Sequence, residues 1–580
     1  MVQEEIKKLL ADAITAVYRK THGREFYGIG DITVLVEKPN DVTHGNYASS
    51  IALVLAKRLQ QNPVEVAKNI TDHLPKNSLI EKVQVAPPGF INFYLSRNYF
   101  TENLKTILKE KENFGSNTSL KKKKVIIEYT DPNPFKAFHI GHLMSNSIGE
   151  SLSRIFEVNG ATVRRANYQG DVGLHVAKAV WGLYETNQVT PIQNLDIAML
   201  GQAYVRGVEA FEKNEGEKKG ILEINKIIYK EKPDEPENQW VKDWYDNGRK
   251  ISLDYFETIY KKLGTRFDYF FFESQIASKA RKIVEDGLKK NVFETGDRGA
   301  IVFKGEKYGL HTRVFINAEG LPTYEAKELA LAKEKYKKFE YDQSVVVTAN
   351  EITEYFKVLL AAMAQIFPEL AKKTTHVGHG MMRLPEGKMS SRTGNVVTFE
   401  SLLSQVETVV LEKIVDRGFN EAEKKEVTEK VAIAALKYSI LKQSIGGDIV
   451  YDMNKSVSFE GDSGPYLQYS YARAKSVLAK AKQENVKPSL KKTPAEISQL
   501  EKSMSYFPET VEKAYAELQP HYILQYLTEL AREFNSYYAH HKIVEAADDG
   551  SAYKVALAEA FSIIMKRGLW MLGIETLEKM

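Results

Sequence analysis

Residues 125–160 read VIIEYTDPNPFKAFHIGHLMSNSIGESLSRIFEVNG, and this stretch decides the fold. VIIEYT is a short apolar run rich in β-branched residues, the mark of a buried strand. The Pro-rich DPNP ends it. After it, apolar positions follow a helical period as far as Gly160, and TVRRANYQGD (162–171) then reads as a second strand. Strand, turn, helix and strand make a βαβ unit, the start of a nucleotide-binding parallel sheet. YDQSVVVTA (341–349) and EYFKVLLAAMAQIF (354–367) supply a later strand and helix, the return half of the same sheet. Between the two halves lies a long, charged, mostly helical insertion at about residues 183–300.

The flanks differ from this core. Residues 1–110 begin with an amphipathic helix and continue through an alternating ITVLVEK, a helical stretch from Ser49 to Leu59 and a second helix after Asn62-Pro63. The strand pattern VQVAPPGFINFYL closes that unit, which reads as a small α+β domain. A linker, KEKENFGSNTSLKKKK, leads to a core domain at 122–400. From 401 to 580 apolar residues recur at three and four spacing without alternating strands, as in a helical bundle. The fold class expected is therefore multidomain α/β: a Rossmann-type parallel-sheet domain with an N-terminal α+β domain and a C-terminal all-α bundle.

Composition narrows the function classes. With 43% hydrophobic and 27% charged residues the chain is ordinary globular material. No run approaches the ~18 apolar residues of a membrane span. The N-terminus, MVQEEIKKLLADAI, lacks the apolar core of a signal peptide, so a cytoplasmic location is expected. There are no cysteines, which removes disulfides, thiolate zinc sites and cysteine nucleophiles. A net charge of +4 is too small to argue for nucleic acid by itself.

Two segments carry chemistry. In DPNPFKAFHIGH, His139 and His142 stand three residues apart in the first turn of a helix, with Gly141 between them. A missing side chain at Gly141 lets a flat base or ribose approach the backbone, and a helix N-terminus favours phosphate. The pair could ligate a metal, although a third ligand is not evident, or could simply cap the helix. The second segment, PEGKMSSRTGNVV (385–397), brings Lys388, Ser390, Ser391 and Arg392 between two glycines. Mobile cations and hydroxyls of this kind suit a pyrophosphate leaving group, on which charge develops as the bond breaks.

Together the two segments resemble the HIGH and KMSKS motifs of class I aminoacyl-tRNA synthetases. The resemblance sharpens to the arginyl-tRNA synthetase family and covers nearly the whole chain. EYTDPNPFKAFHIGHLMSNSIGE, NYQGDVG, LPTYEAKELA and HVGHGMMRLPEGKMSSRTGNVV resemble that family's catalytic core. HGNYASSIALVLAK, NPVEVAK and PPGFINFYL resemble its tRNA-contacting N-terminal domain, and GPYLQYSYAR and LWMLGIETLEKM its anticodon-binding bundle.

What the resemblance implies is an ATP-dependent ligase that joins L-arginine to tRNA(Arg). ATP is expected as substrate with Mg2+ beside it; no zinc, no membrane and a monomeric state are expected. His139, His142, Lys136 and Lys388 are the implied catalytic residues. Gly141, Asn350, Glu351, His379, Met382, Ser390 and Ser391 are the implied nucleotide contacts. Glu128, Asn133, Tyr324 and Glu328 are implied to bind arginine, whose planar fork of donors calls for carboxylates. Two positions depart from the family. Ser391 stands where the motif has its second lysine, which gives Lys136 a compensating role, and Glu328 stands where the family usually has Asp. A different class I synthetase and a catalytically silent RNA-binding relative are the alternatives, and amino-acid-dependent pyrophosphate exchange separates them.

Overall fold

α1 (Val2–His22) turns the face carrying Ile6, Leu10, Ala13 and Ile14 into a core it shares with much of the chain. A computed structural model of the chain describes residues 2–22, 33–39, 41–186, 195–229, 236–383, 397–415 and 417–580. β1 (Tyr47–Ser49), α2 (Ile51–Leu59), α3 (Pro63–Asp72), β2 (Ile80–Ala86) and β3 (Phe90–Leu95) follow, and the strands form an antiparallel sheet ordered β1-β3-β2. Asn62 caps α3 by accepting from the Val64 amide, with Pro63 in the first turn, where no N–H is missed. Residues 33–38 of the ITVLVEK stretch do not form the expected strand. They make a single bridge, Glu37 to Ala48, because the short β1 offers no longer edge to pair with.

After α4 (Arg97–Glu110) the central sheet begins with β4 (Lys124–Glu128), α5 (Ile140–Val158) and β5 (Thr162–Gln169). Four helices come next: α6 (Leu174–Thr186), α7 (Ile197–Lys213), α8 (Glu215–Ile228) and α9 (Gln239–Lys262). β6 (Tyr269–Phe272) then returns to the sheet, and α10 (Glu273–Lys289) leads away from it. β6 falls inside the stretch read from sequence as a mostly helical insertion; YFFF is too short for a strand period to register. A small antiparallel sheet of β7 (Glu294–Thr295), β8 (Ile301–Phe303) and β9 (Arg313–Ile316) precedes α11 (Tyr324–Lys338). β10 (Gln343–Ala349), α12 (Thr353–Ile366), α13 (Pro368–Lys373) and β11 (Thr374–His379) complete the five-stranded parallel sheet, ordered β11-β10-β4-β5-β6.

β12 (Met382–Arg383) pairs with β13 (Ile449–Val450), a two-residue ladder inside the otherwise helical last third. The helices there are α14 (Phe399–Ile414), α15 (Glu421–Leu441), α16 (Met453–Ser456), α17 (Gly464–Gln483), α18 (Gln499–Ser505), α19 (Phe507–Ala516), α20 (His521–His540) and α21 (Ser551–Met571). One core joins the N-terminal unit, α5 and these helices; a second fills the opposite face of the sheet, and a third lies among α6 to α9.

Candidate active site

The loop between β4 and α5 is held under strain. Thr130, Asp131 and Phe135 all have positive φ (81°, 45° and 66°), a region that costs non-glycine residues energy unless the surroundings impose it. The surroundings are specific. Ser145 accepts from the Thr130 amide at 2.9 Å, Asp131 accepts from the Tyr168 amide at 2.7 Å, and Ser252 accepts from the Phe135 amide at 2.9 Å. Asn133 Oδ1 accepts from the Gly170 amide at 3.1 Å, and a Cβ on Gly170 would stand 2.5 Å from that oxygen.

His139 is the N-cap of α5. Its Nδ1 accepts from the Gly141 amide at 3.1 Å, while the His139 amide donates to His142 Nδ1 at 3.2 Å. The capping alternative is thus realised, as a reciprocal box. Capping occupies only Nδ1 of each ring and requires the proton on Nε2, so two Nε2–H donors remain. The rings stack at 3.6 Å. Burial, reinforced by Lys136, lowers His139 to about 4; burial and then His139 hold His142 well below its ordinary value. Both are neutral donors near neutral pH. The Lys136 ammonium lies 4.9 Å from the Tyr204 ring of α7, and burial followed by repulsion from Lys178 lowers its pKa. The positive field at this turn also bears on His175, which burial and then Lys136 bring to about 3.

Beside the turn, at the carboxyl ends of β4, β5 and β10, is a cavity of about 400 Å³. Glu128, Asn133, Tyr324 and Glu328, the four residues implied for arginine, all line it. Glu351 lines it too, although sequence grouped it with the nucleotide contacts. Three acids that sequence reading missed, Asp131, Glu273 and Glu325, bring the carboxyl groups to six, against a single lining cation, Arg313. Cations behind the wall, together with Arg313, take up part of this charge. Lys335 pairs with Glu128 at 2.7 Å and Lys327 with Glu273 at 2.6 Å, and Arg313 stands 3.8 Å from Glu325. Among the described residues Asp131, Glu328 and Glu351 have no ion-pair partner. Burial and then Glu128 raise Glu328 to about 8, and the same two causes push Asp131 well above the carboxylate range. A cavity that retains protons on its acids is organised for a cation.

The remaining predicted residues are elsewhere. His379 is buried at the end of β11, with Nδ1 against Gly380 O at 2.7 Å, and Met382 is a core residue, 4% exposed. Asn350 donates to Gly446 O at 3.3 Å. None of these three lines the acidic cavity. Lys388, Ser390 and Ser391 lie outside the described residues. Among the described residues no group of three His, Asp or Glu stands ready to hold a metal.

Residues 103–453 match the model for tRNA synthetases class I (R), catalytic domain. The chain belongs to the arginyl-tRNA synthetase family. Residues 4–95 match the family's N-terminal domain and 467–580 the DALR anticodon binding domain. An arginine–tRNA ligase of Clostridium acetobutylicum is 31% identical over 100% of this chain and 99% of its own. One from Lactococcus lactis subsp. cremoris MG1363 is 32% identical over 99% and 100%. The arginyl-tRNA synthetase of Thermus thermophilus shares the fold over 100% of both chains, with TM-score 0.78 at 22% identity. That of Plasmodium falciparum does so over 100% of this chain and 99% of its own, with TM-score 0.77 at 19% identity.

The DALR region of this family member holds a second cavity, of about 730 Å³, lined by Arg417, Tyr469, Arg473, Lys480, Tyr538 and Lys542 among others. The Arg473 guanidinium lies 4.7 Å from the Tyr469 ring and 5.1 Å from the Tyr538 ring. The aromatics of these C-terminal helices divide by burial: Tyr466, Tyr471, Tyr526 and Phe534 are core, while Tyr538 is 43% exposed.

Proposed function

We propose that the acidic cavity is the arginine site of an arginine–tRNA ligase and that the histidine turn beside it receives ATP. The reaction runs in two steps: the arginine carboxylate attacks the α-phosphate, expelling pyrophosphate, and the arginyl group then passes to the 3′-terminal adenosine of tRNA(Arg). The observation that carries the assignment of the site is the convergence of Glu128, Asn133, Tyr324 and Glu328 on one cavity whose acids outnumber its cations. A guanidinium offers donors in a rigid plane that two carboxylates can meet, whereas the ammonium of lysine is a point charge.

The chain needs no nucleophile of its own; positioning and charge stabilisation do the work. On this reading the Nε2–H groups of His139 and His142 donate to phosphate oxygens. Lys136 and Lys388 neutralise the triphosphate, with Ser390 and Ser391 beside Lys388. Asn350, Glu351, His379 and Met382 are retained as the nucleotide's surroundings, with Glu351 facing the arginine side. Mg2+ would arrive on the phosphate oxygens rather than in a protein cage, and zinc has no part. Residues 1–110 contact the tRNA, 122–400 carry the chemistry and 401–580 hold the anticodon. The aromatic and basic lining around Arg473 suits unstacked bases, which stack on exposed rings. The chain acts in the cytoplasm and as a monomer: both substrate sites and both tRNA-type regions belong to one polypeptide, so no second copy is needed.

Pyrophosphate exchange with each amino acid, with and without tRNA, tests the reading. Exchange is expected with arginine alone; comparable exchange with lysine, or none with any amino acid, overturns it. Lys136→Ala is expected to lower exchange by about tenfold or more, the scale of removing one preorganised charge from a developing anion. Unchanged activity would mean the triphosphate is held elsewhere.

A further inference from the structure

Two basic side chains outside the substrate cavities, Lys437 buried and Arg154 partly exposed, bridge the same pair of helix ends. Lys437, within α15 and 1% exposed, donates from Nζ to Leu263 O and to Gly573 O, each at 2.6 Å. Arg154, on α5, donates from Nη2 to Gly264 O at 2.8 Å and from Nη1 to Trp570 O at 2.7 Å. Leu263 and Gly264 finish α9; Trp570 and Gly573 finish α21. The last turn of a helix leaves carbonyls without intrahelical donors and carries the negative end of the dipole. Two such ends meet here, and each side chain donates to one carbonyl at each; Trp570 O also accepts from the Gly573 amide at 2.9 Å. A buried lysine ordinarily has a carboxylate partner. Lys437 has none at ion-pair distance among the described residues; the two helix ends take that place. The fit is close: Gly573, at φ 68°, would put a Cβ 2.9 Å from the lysine Nζ.

The two helices belong to different parts of the molecule. α9 runs along the histidine turn, where Ser252 accepts from the Phe135 amide at 2.9 Å and Tyr255 from the Phe138 amide at 3.4 Å. It also fixes the start of the NYQGD segment, since Asn167 donates to the Tyr260 hydroxyl at 3.0 Å. α21 closes the C-terminal helical region and packs on α17 and α20, the helices that carry Arg473 and Tyr538. Arg154 extends the connection inward. Its Nε donates to Glu150 at 2.6 Å, Glu150 accepts from the Tyr129 hydroxyl at 2.6 Å, and Tyr129 follows Glu128 of the acidic cavity.

We infer that Arg154 and Lys437 form a junction of hydrogen-bond donors through which the C-terminal helical region fixes α5 and α9, and with them the histidine turn and Glu128. Both are positioning residues for arginine activation; neither touches substrate. The inference rests on the ligase reading above, which wild-type exchange tests separately.

The experiment uses the full-length chain and compares wild type with Lys437→Met, Arg154→Lys and the double variant. Lys437→Met keeps the apolar stem and removes the donors. Arg154→Lys keeps the charge and loses the fork that reaches both carbonyls. The expected result is a fall of roughly ten- to a hundredfold in kcat for arginine-dependent exchange, the scale of a small misplacement of reacting groups. KM for ATP and arginine is expected to stay within about twofold, the pattern of an interaction expressed only in the transition state. Because both side chains act on one junction, the double variant should fall little below the worse single variant. Unchanged kcat in a folded Lys437→Met overturns the inference, as does a loss matching the unfolded fraction measured by circular dichroism at the assay temperature. If Lys437→Met does not fold, Arg154→Lys decides, and its unchanged kcat is the overturning result. Wild-type exchange with arginine alongside unimpaired variants removes the junction and leaves the ligase reading standing.

Discussion

Glu328, implied by resemblance to stand where the family usually has Asp, lies in a site where burial and the neighbouring Glu128 lift its carboxyl from 4.5 to about 8. Near neutral pH Glu328 therefore holds a proton that a guanidinium would displace. Arginine binding at about pH 7 should release a proton, and KM for arginine should fall as pH rises through about 8. Titration calorimetry in two buffers of different ionisation enthalpy measures this; equal heats in both would contradict it. Glu328→Gln should remove that pH dependence and lower kcat/KM by roughly ten- to a hundredfold, given about 1.5–3 kcal/mol for a hydrogen bond to a charged group. At this scale the resemblance named Tyr324 and Glu328, and both line the cavity. The sequence was silent at Glu273, which reads as a surface acid opening a helix. Only the return of β6 to the sheet carries Glu273 into the cavity.

α5 is the element on which the proposed chemistry depends, and its boundaries follow from its residues. It starts at an imidazole cap and lies tightly on β4, since a Cβ on Gly149 would come within 2.2 Å of the Tyr129 ring. The cap separates the two roles of His139. His139→Asn should retain the melting temperature, because an amide oxygen caps well, while His139→Ala should lose about 1 kcal/mol. Both should lower kcat for exchange, since neither keeps the Nε2–H donor. Thermal melts beside exchange kinetics decide it, and full activity in His139→Asn would reduce the ring to a structural part. With His139 at about 4, its protonation should leave no inflection in the rate near pH 6.5, the ordinary imidazole value. Strand-turn-helix order was readable here because apolar period and turn chemistry agree. ITVLVEK misled because alternation reports a half-buried surface, and whether a strand forms there depends on a neighbouring edge to pair with.

The first and last parts of the chain, which look independent in sequence, are packed together. Arg97 of α4 binds Glu501 and Tyr553, the Tyr506 hydroxyl donates to Asn46 O at 3.2 Å, and the Tyr47 hydroxyl donates to Glu509 at 2.6 Å. No local pattern encodes contacts between residues more than 400 positions apart, so this docking was not legible in the sequence. The docking leaves a pH signature. Burial raises Glu509 to about 7, against the opposing hydrogen bond from Tyr47. Between its ordinary 4.5 and about 7 the folded chain keeps a proton that the unfolded chain releases. The stability this provides is complete at low pH and is lost as pH rises through about 7. Glu509→Gln preserves an acceptor for the Tyr47 hydroxyl and cannot ionise. Its melting temperature should therefore exceed that of wild type at about pH 8 and match it at about pH 5. A difference of the same size at both pH values would mean that the substitution acts through packing, not through the charge buried where the N-terminal unit meets the anticodon-binding helices.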